Sequence, residues 1–189
     1  MATRVKRDVE QAQEAFNALT NAKTFEEARK AWGNFLTHWH RALNRCDAEG
    51  ARASRKTYVP SQARVLKNEA LTYLREARNA EEHGLSEITA VQERAFALAA
   101  FGGYEEEVCP PGPNDEQVIK FTPQSDNPPP FFAVLPEHIK LMPIAGRTGG
   151  IPVPKGYDYD FGETSAPVAL AAFGMEFLRQ EISNLAKVQ

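Results

Sequence analysis

The spacing of apolar residues predicts four helices, three in the first half of the chain and one near its end. On one face of an α-helix, apolar residues recur every three or four positions. This spacing extends over residues 4–21, 24–49, 61–83 and 166–187. In the third helix it begins at Leu66. The large side chains predicted to meet in one core are Trp32, Phe35, Trp39, Leu74, Phe173 and Phe177.

Polar residues that suit helix N-termini precede three of these segments. Thr24 and Glu27 form a capping box at the start of the second helix. Ser61 is a candidate cap for the third helix, and Thr164 or Ser165 for the last one, with Pro167 in its first turn.

Proline and glycine distinguish the second half of the chain. Only one of 13 prolines, Pro60, comes before residue 109, and only three of 12 glycines lie within the first 84 residues. Both residue types disfavour helix interiors. Residues 88–101 fit either a helix or a strand, 109–130 predict an extended segment without regular structure, and the Gly146–Gly150 turn predicts an edge hairpin over 138–154.

These patterns predict a mainly α fold in a single domain over residues 1–189. Its helical core covers about 1–84 and 164–187, and an insertion over about 103–163 contains the β-hairpin. Two cysteines, Cys46 and Cys109, are too few for a disulfide framework. With no Cys/His cluster and no long apolar run, we expect no metal, no cofactor, no membrane contact and a cytoplasmic protein.

Charge is distributed unevenly along the chain. Residues 1–84 hold 15 Lys/Arg against 11 Asp/Glu, and the remaining residues hold 7 against 14. Most of the excess positive charge lies in residues 41–67, a basic segment that is a candidate for binding RNA phosphate. Its candidate residues are Arg41, Arg45, Arg52, Arg55, Lys56, Arg64 and Lys67. The alternative is an ordinary solvated helix face and loop.

The end of the third helix carries the residues best suited to chemistry. Arg78, Asn79 and His83 combine a phosphate-binding fork, an orienting amide and a group that transfers protons near neutral pH. Asn79 and His83 are four residues apart, so they lie one turn apart on the same helix face. The alternative is a surface salt bridge from Arg78 to Glu82 and a helix-ending role for His83.

The run Arg78-Asn79-x3-His83, at the end of a helix in a helical bundle, resembles the signature of HEPN domains. The resemblance covers about residues 1–84 and 164–187. It implies a metal-independent endoribonuclease in which two chains form one composite site. His83 would move the proton of the ribose 2′-hydroxyl or of the leaving oxygen, Arg78 would hold the phosphate, and Asn79 would orient one of them. Tyr58 or Tyr73 would be available to stack a base.

Two hypotheses therefore remain open. The chain is a homodimeric ribonuclease, related to toxin or defence systems and with an antitoxin or other protein as a further partner, or it is a non-catalytic helical interaction or structural protein of HEPN-like fold.

Overall fold

The computed structural model describes residues 3–54, 58–83, 88–92, 95–99, 104–109, 118–124, 131–135, 138–145, 150–157 and 165–187. The chain divides into two compact units. The first comprises Met1–Gln92 and Glu137–Gln189, and the second Glu93–Pro136.

The first unit is built from helices, and the prediction of a mainly α protein is confirmed. Its helices are α1 (Thr3–Thr20), α2 (Phe25–Ala53), α3 (Ser61–Val65), α4 (Glu69–His83) and α5 (Ala166–Ala186). The start of α2 follows the sequence signal, since the Thr24 hydroxyl accepts the N–H of Glu27 at 3.2 Å. The Glu27 carboxylate accepts the N–H of Lys23 at 2.9 Å, one residue earlier than in a standard capping box. None of the helices that the structure describes is both long and apolar enough to cross a membrane.

The third predicted helix is wrong as one continuous element. It is interrupted between α3 and α4, where the Asn68 side chain accepts the N–H of Leu71 at 3.1 Å and so caps α4. Leu66 follows α3 as its C-cap residue and is 57% exposed, although the apolar spacing places it on the buried face. Ser61 is also not the predicted cap, because its hydroxyl donates to Asp47 Oδ2 at 2.9 Å.

Helix α2 lies at the centre of the first unit and packs against α1, α4 and α5. Four of the six predicted core residues are buried as expected: Trp32, Phe35, Trp39 and Leu74. The indole N–H of Trp39 donates to the carbonyl of Gly174 in α5 at 2.8 Å. A Cβ at Gly174 would lie 2.8 Å from Leu74 Cδ1, so the missing side chain allows α5 to approach closely.

The predicted burial of Phe173 is wrong, and that of Phe177 is only partly met. Phe173 is 37% exposed, whereas Phe177 is half-buried against the core. The first half of α5 is apolar around most of its circumference, so periodicity does not identify the buried side. The close contact at Gly174 turns the neighbouring Phe173 outward.

A short antiparallel ladder completes the first unit. Strand β1 (Thr89–Gln92) pairs with β6 (His138–Leu141), and β6 packs against α2 and α5. The predicted hairpin is therefore wrong in its pairing, because residues 138–141 bind β1 instead of 151–154. A single bridge between Ile144 and Ile151 brackets the predicted turn, whose residues 146–149 lie outside the described chain.

The second unit contains two antiparallel ladders. Strand β2 (Ala95–Ala99) pairs with β5 (Phe131–Leu135), and β3 (Tyr104–Cys109) pairs with β4 (Val118–Pro123). The segment 88–101, left open between helix and strand, thus contains strands β1 and β2. The prediction of irregular structure over 109–130 is wrong for 118–123, where Val118, Ile119 and Phe121 supply β-forming residues.

Candidate functional site

A polar groove lies between α2 and α4 in the first unit. It encloses about 350 Å³ and is lined by Lys30, Gly33, Asn34, Thr37, Arg78, Glu81 and Glu82. Lys30, Asn34 and Thr37 recur along α2 at helical spacing, so they form a polar stripe next to its apolar one. The groove therefore has one cation on each side, Lys30 and Arg78, together with uncharged hydrogen-bonding groups and the two carboxylates Glu81 and Glu82, which balance the positive charge.

The absence of a side chain at Gly33 shapes one end of this groove. A Cβ there would lie 2.4 Å from Glu81 Oε1, so the carboxylate occupies the space that a larger residue would fill. The loss of water around this carboxylate raises the pKa of Glu81, and the nearby Arg29 partly opposes the rise.

Arg78 borders the groove and is held by two neighbours on its own helix. Its Nη2 donates to Glu82 Oε1 at 2.5 Å, and its Nη1 donates to Asn79 Oδ1 at 3.2 Å. The Arg78 side chain is 20% exposed, and that of Glu82 is 49% exposed. The ion pair of the alternative interpretation is therefore present. Because water reaches Glu82, the pair should contribute little to stability.

A hydrogen-bonded chain continues from this pair along α4. The Asn79 amide accepts from Arg78 and donates to Glu76 Oε2 at 3.4 Å. Glu76 in turn accepts from Arg75 Nε at 2.8 Å. Asn79 therefore connects the two arginines and fixes the plane of the Arg78 guanidinium. The predicted role of Asn79, to orient the histidine or the phosphate, stays a prediction.

The third residue of the predicted motif is placed only by its main chain. His83 ends α4, one turn after Asn79, as the sequence predicts. Its side chain lies outside the described residues. The structure thus brings Arg78 and Asn79 together, and the pairing of Arg78 with His83 stays a prediction.

The basic segment divides into residues with different surroundings. Arg41, Arg52 and Lys67 are exposed, and Arg55 and Lys56 lie outside the described residues.

Two other members of this segment neutralise buried carboxylates. Arg45 Nη1 lies 2.5 Å from Asp8 Oδ2, and Arg64 binds both oxygens of Glu181. The carboxylate partners are 3% and 1% exposed. Arg45 and Arg64 thus have a role in the interior that their sequence context did not indicate.

Of the two tyrosines considered for base stacking, Tyr73 has no exposed face and Tyr58 is only partly exposed. Tyr73 is fully buried, and its hydroxyl donates to the carbonyl of Met142 at 2.7 Å. The Tyr58 hydroxyl donates to Asp47 Oδ1 at 2.8 Å. Its ring packs so closely on Gly50 that a Cβ there would lie 2.3 Å from Tyr58 Cε2. Burial raises the pKa of both phenols.

His40 is a further residue between α2 and α4 that the sequence did not single out as part of a site. It lies on α2, one turn from Thr37, with Arg78, Glu82 and Arg75 of α4 as its charged neighbours. Burial and the charge of Arg78 lower its pKa. The signal that could have identified it is the polar stripe Lys30–Asn34–Thr37, which leads to His40 at helical spacing.

Within the part of the chain that the structure describes, no group of three or more His, Cys, Asp or Glu side chains is arranged to hold a metal ion. No family model matches this chain, and neither a curated protein nor a solved structure matches it. Any function therefore has to be argued from the groove itself.

Proposed function

We propose that this chain is a HEPN-like domain that cleaves single-stranded RNA without a metal, as a homodimer, with Arg78 at the centre of the site. The observation that carries the proposal is the place of Arg78, on the wall of a groove whose other wall holds Lys30, Asn34 and Thr37. Lys30, Asn34 and Thr37 are groups of the kind that bind the RNA backbone independently of sequence, whereas Glu81 and Glu82, which also line the groove, oppose it.

In the proposed reaction, His83 accepts the proton of a ribose 2′-hydroxyl. The 2′-oxygen then attacks the adjacent phosphorus, and the bond from phosphorus to the 5′-oxygen breaks. The leaving oxygen receives a proton from the protonated histidine of the second chain. Arg78 stabilises the charge that develops on the phosphate. The products are a 2′,3′-cyclic phosphate and a 5′-hydroxyl.

Phosphate binding at Arg78 requires a change of partner. Glu82 occupies Nη2 of Arg78, and the phosphate has to displace it. Because an exposed ion pair contributes only about 0.2–1 kcal/mol, removal of Glu82 should strengthen RNA binding by roughly 1.5- to 5-fold. Asn79 then keeps the guanidinium in place while its partner changes.

A second candidate function is favoured by the same contacts. Both terminal nitrogens of Arg78 already have partners within α4, through Glu82 and Asn79. In a non-catalytic interaction or structural protein, these bonds would stabilise the helix end and nothing more. This candidate predicts that removal of Glu82 lowers stability and leaves RNA binding unchanged.

The test is cleavage of a labelled single-stranded RNA in excess EDTA, with a DNA of the same sequence as the control substrate. Arg78→Ala and His83→Ala should each lower the rate about 100-fold or more, and Glu82→Gln should tighten RNA binding. Arg179→Ala, which removes an exposed arginine from α5, is the matched control and should act like the wild type.

Two results would contradict the ribonuclease proposal. One is the absence of cleavage in EDTA, combined with loss of folding in Arg78→Ala. The other is a monomer in light scattering at micromolar concentration, since one motif per chain requires two chains for a composite site. The first result would support the second candidate function, a non-catalytic interaction or structural protein.

A further inference from the structure

We propose that His40 belongs to the phosphate site, and that it donates a hydrogen bond to an RNA phosphodiester held by Arg75 and Arg78. This inference rests on the proposed function only in placing RNA at the seam between α2 and α4. It does not require that the RNA be cut.

The position of His40 is the first observation. It continues the polar stripe of α2 beyond the groove, and it lines a small cavity together with Asn44 of α2, Gln62 of α3 and Arg75 of α4. The cavity holds only about 10 Å³, room for one water molecule at most. A phosphate would therefore contact the half-buried imidazole of His40 at the protein surface between α2 and α4, and not inside this cavity.

The hydrogen bonding of the ring is the second observation. Asn44 Nδ2 lies 3.3 Å from His40 Nδ1. If the amide N–H donates, Nδ1 is the acceptor and the neutral ring carries its proton on Nε2. An Nε2–H group is a donor, and RNA phosphate oxygens are acceptors.

The charges around the ring are the third observation. From α4, Arg75 and Arg78 disfavour a charged imidazole, and Glu82 favours it. The α3 residues at the cavity carry no charge; they are Ser61, Gln62 and Val65. Arg75 is already paired with Glu76 and Arg78 with Glu82, so a phosphodiester bound by the two arginines would add one negative charge beside His40. RNA binding should then raise the pKa of His40, and by reciprocity a protonated His40 should bind RNA more tightly.

The experiment uses a short single-stranded 2′-O-methyl oligonucleotide. It lacks the nucleophilic hydroxyl, and its phosphodiesters stay singly charged throughout the titration. NMR of the imidazole groups of the full chain gives the pKa of His40 with and without the oligonucleotide. We expect the pKa of His40 to rise on binding. His38, on the same helix with Arg41, Asp8 and Glu14 as its charged neighbours, is the internal control and should not respond.

Binding measured against pH tests the same coupling from the other direction. From about pH 8 to about pH 5.5, across the usual histidine range, affinity should rise roughly 3- to 10-fold because one charged donor is gained. His40→Gln should remove the part of this rise that comes from His40 and leave only the contribution of His83, whereas His38→Gln should keep all of it. The thermal midpoints of both variants show whether they are folded, and the wild-type pKa measurement needs neither variant.

The outcomes separate the two proposals. Binding that depends on Arg78 while the pKa of His40 stays constant overturns the role of His40 and leaves the proposed function intact. If the oligonucleotide binds and raises the pKa of His40, but ordinary RNA is not cleaved, the result supports this inference and contradicts the proposed ribonuclease activity. No binding of the oligonucleotide overturns both.

Discussion

Arg64 should act on stability rather than on RNA binding, although it lies in the basic segment. Its Nε donates to Glu181 Oε1 at 2.9 Å, and its Nη2 binds the other carboxylate oxygen. The Glu181 side chain is 1% exposed, so Arg64→Ala would leave a charge almost without water or a counter-ion.

The size of the effect follows from this geometry. Removal of one partner of a buried ion pair typically costs about 3–5 kcal/mol. Because the Arg64 side chain is 34% exposed and water reaches one side of the pair, we expect the lower end, about 3 kcal/mol. For a chain of this size that corresponds to a thermal midpoint lowered by about 6–12 °C.

The assay is thermal unfolding followed by circular dichroism, together with RNA binding below the transition. Lys67→Ala removes the same charge from an exposed position nearby and should change stability by less than about 0.5 kcal/mol. The double variant Arg64→Met, Glu181→Met should recover most of the loss, because no unpaired charge remains. An Arg64→Ala protein with a wild-type midpoint and weakened RNA binding would refute the reasoning.

Two further predictions concern ionisable groups. Glu81→Gln should stabilise the protein at neutral pH and have no effect in acid. Because the pKa of Glu81 is raised in the folded state, its bound proton stabilises the fold at low pH. This stability is lost as the pH rises through the folded-state pKa, and the uncharged glutamine avoids the loss. Thermal midpoints at about pH 7 and about pH 4 test this. Glu10→Gln, at a glutamate of α1 whose side chain is 58% exposed, is the control. An equal gain in stability at both pH values would contradict the prediction. Burial, followed by the charges of Asp47 and Glu181, raises the pKa of Cys46 to about 12. In a Cys109→Ser variant, a thiol reagent at neutral pH should therefore react with Cys46 only as fast as the protein unfolds. Rapid labelling of the folded protein would contradict this prediction, because it would show that the thiol is accessible.

The sequence predicted those elements whose signals are local. Helices α1 and α2 follow their apolar spacing and the Thr24 cap, and four of the six predicted core side chains are buried. The interruption after α3 also had a local signal in Asn68, a good capping residue, which the apolar spacing across residues 61–83 concealed.

The rest depended on contacts between distant residues. Whether Gly174 or Phe173 faces α2 is decided by the close approach of Trp39, not by the composition of α5. The pairing of 138–141 with 89–92 joins segments about fifty residues apart, so turn signals near Gly146 could not reveal it. In the site, Arg78 and Asn79 followed from spacing within one helix. The opposite wall with Lys30, and the position of His40 beyond it, required the packing of α2 on α4.

The hydrogen bond from Trp39 to the Gly174 carbonyl joins residues 135 positions apart. During synthesis, the two helices that it connects therefore become available for folding at different times. Helices α1 to α4 leave the ribosome first, and the α1–α2 hairpin needs only a short loop to form. Until α5 follows, the surfaces of Trp39, Phe35 and Leu74 that meet Gly174 face water. Docking of α5 then buries these side chains, and the partly folded chain that precedes it exposes apolar surface of the kind that promotes aggregation.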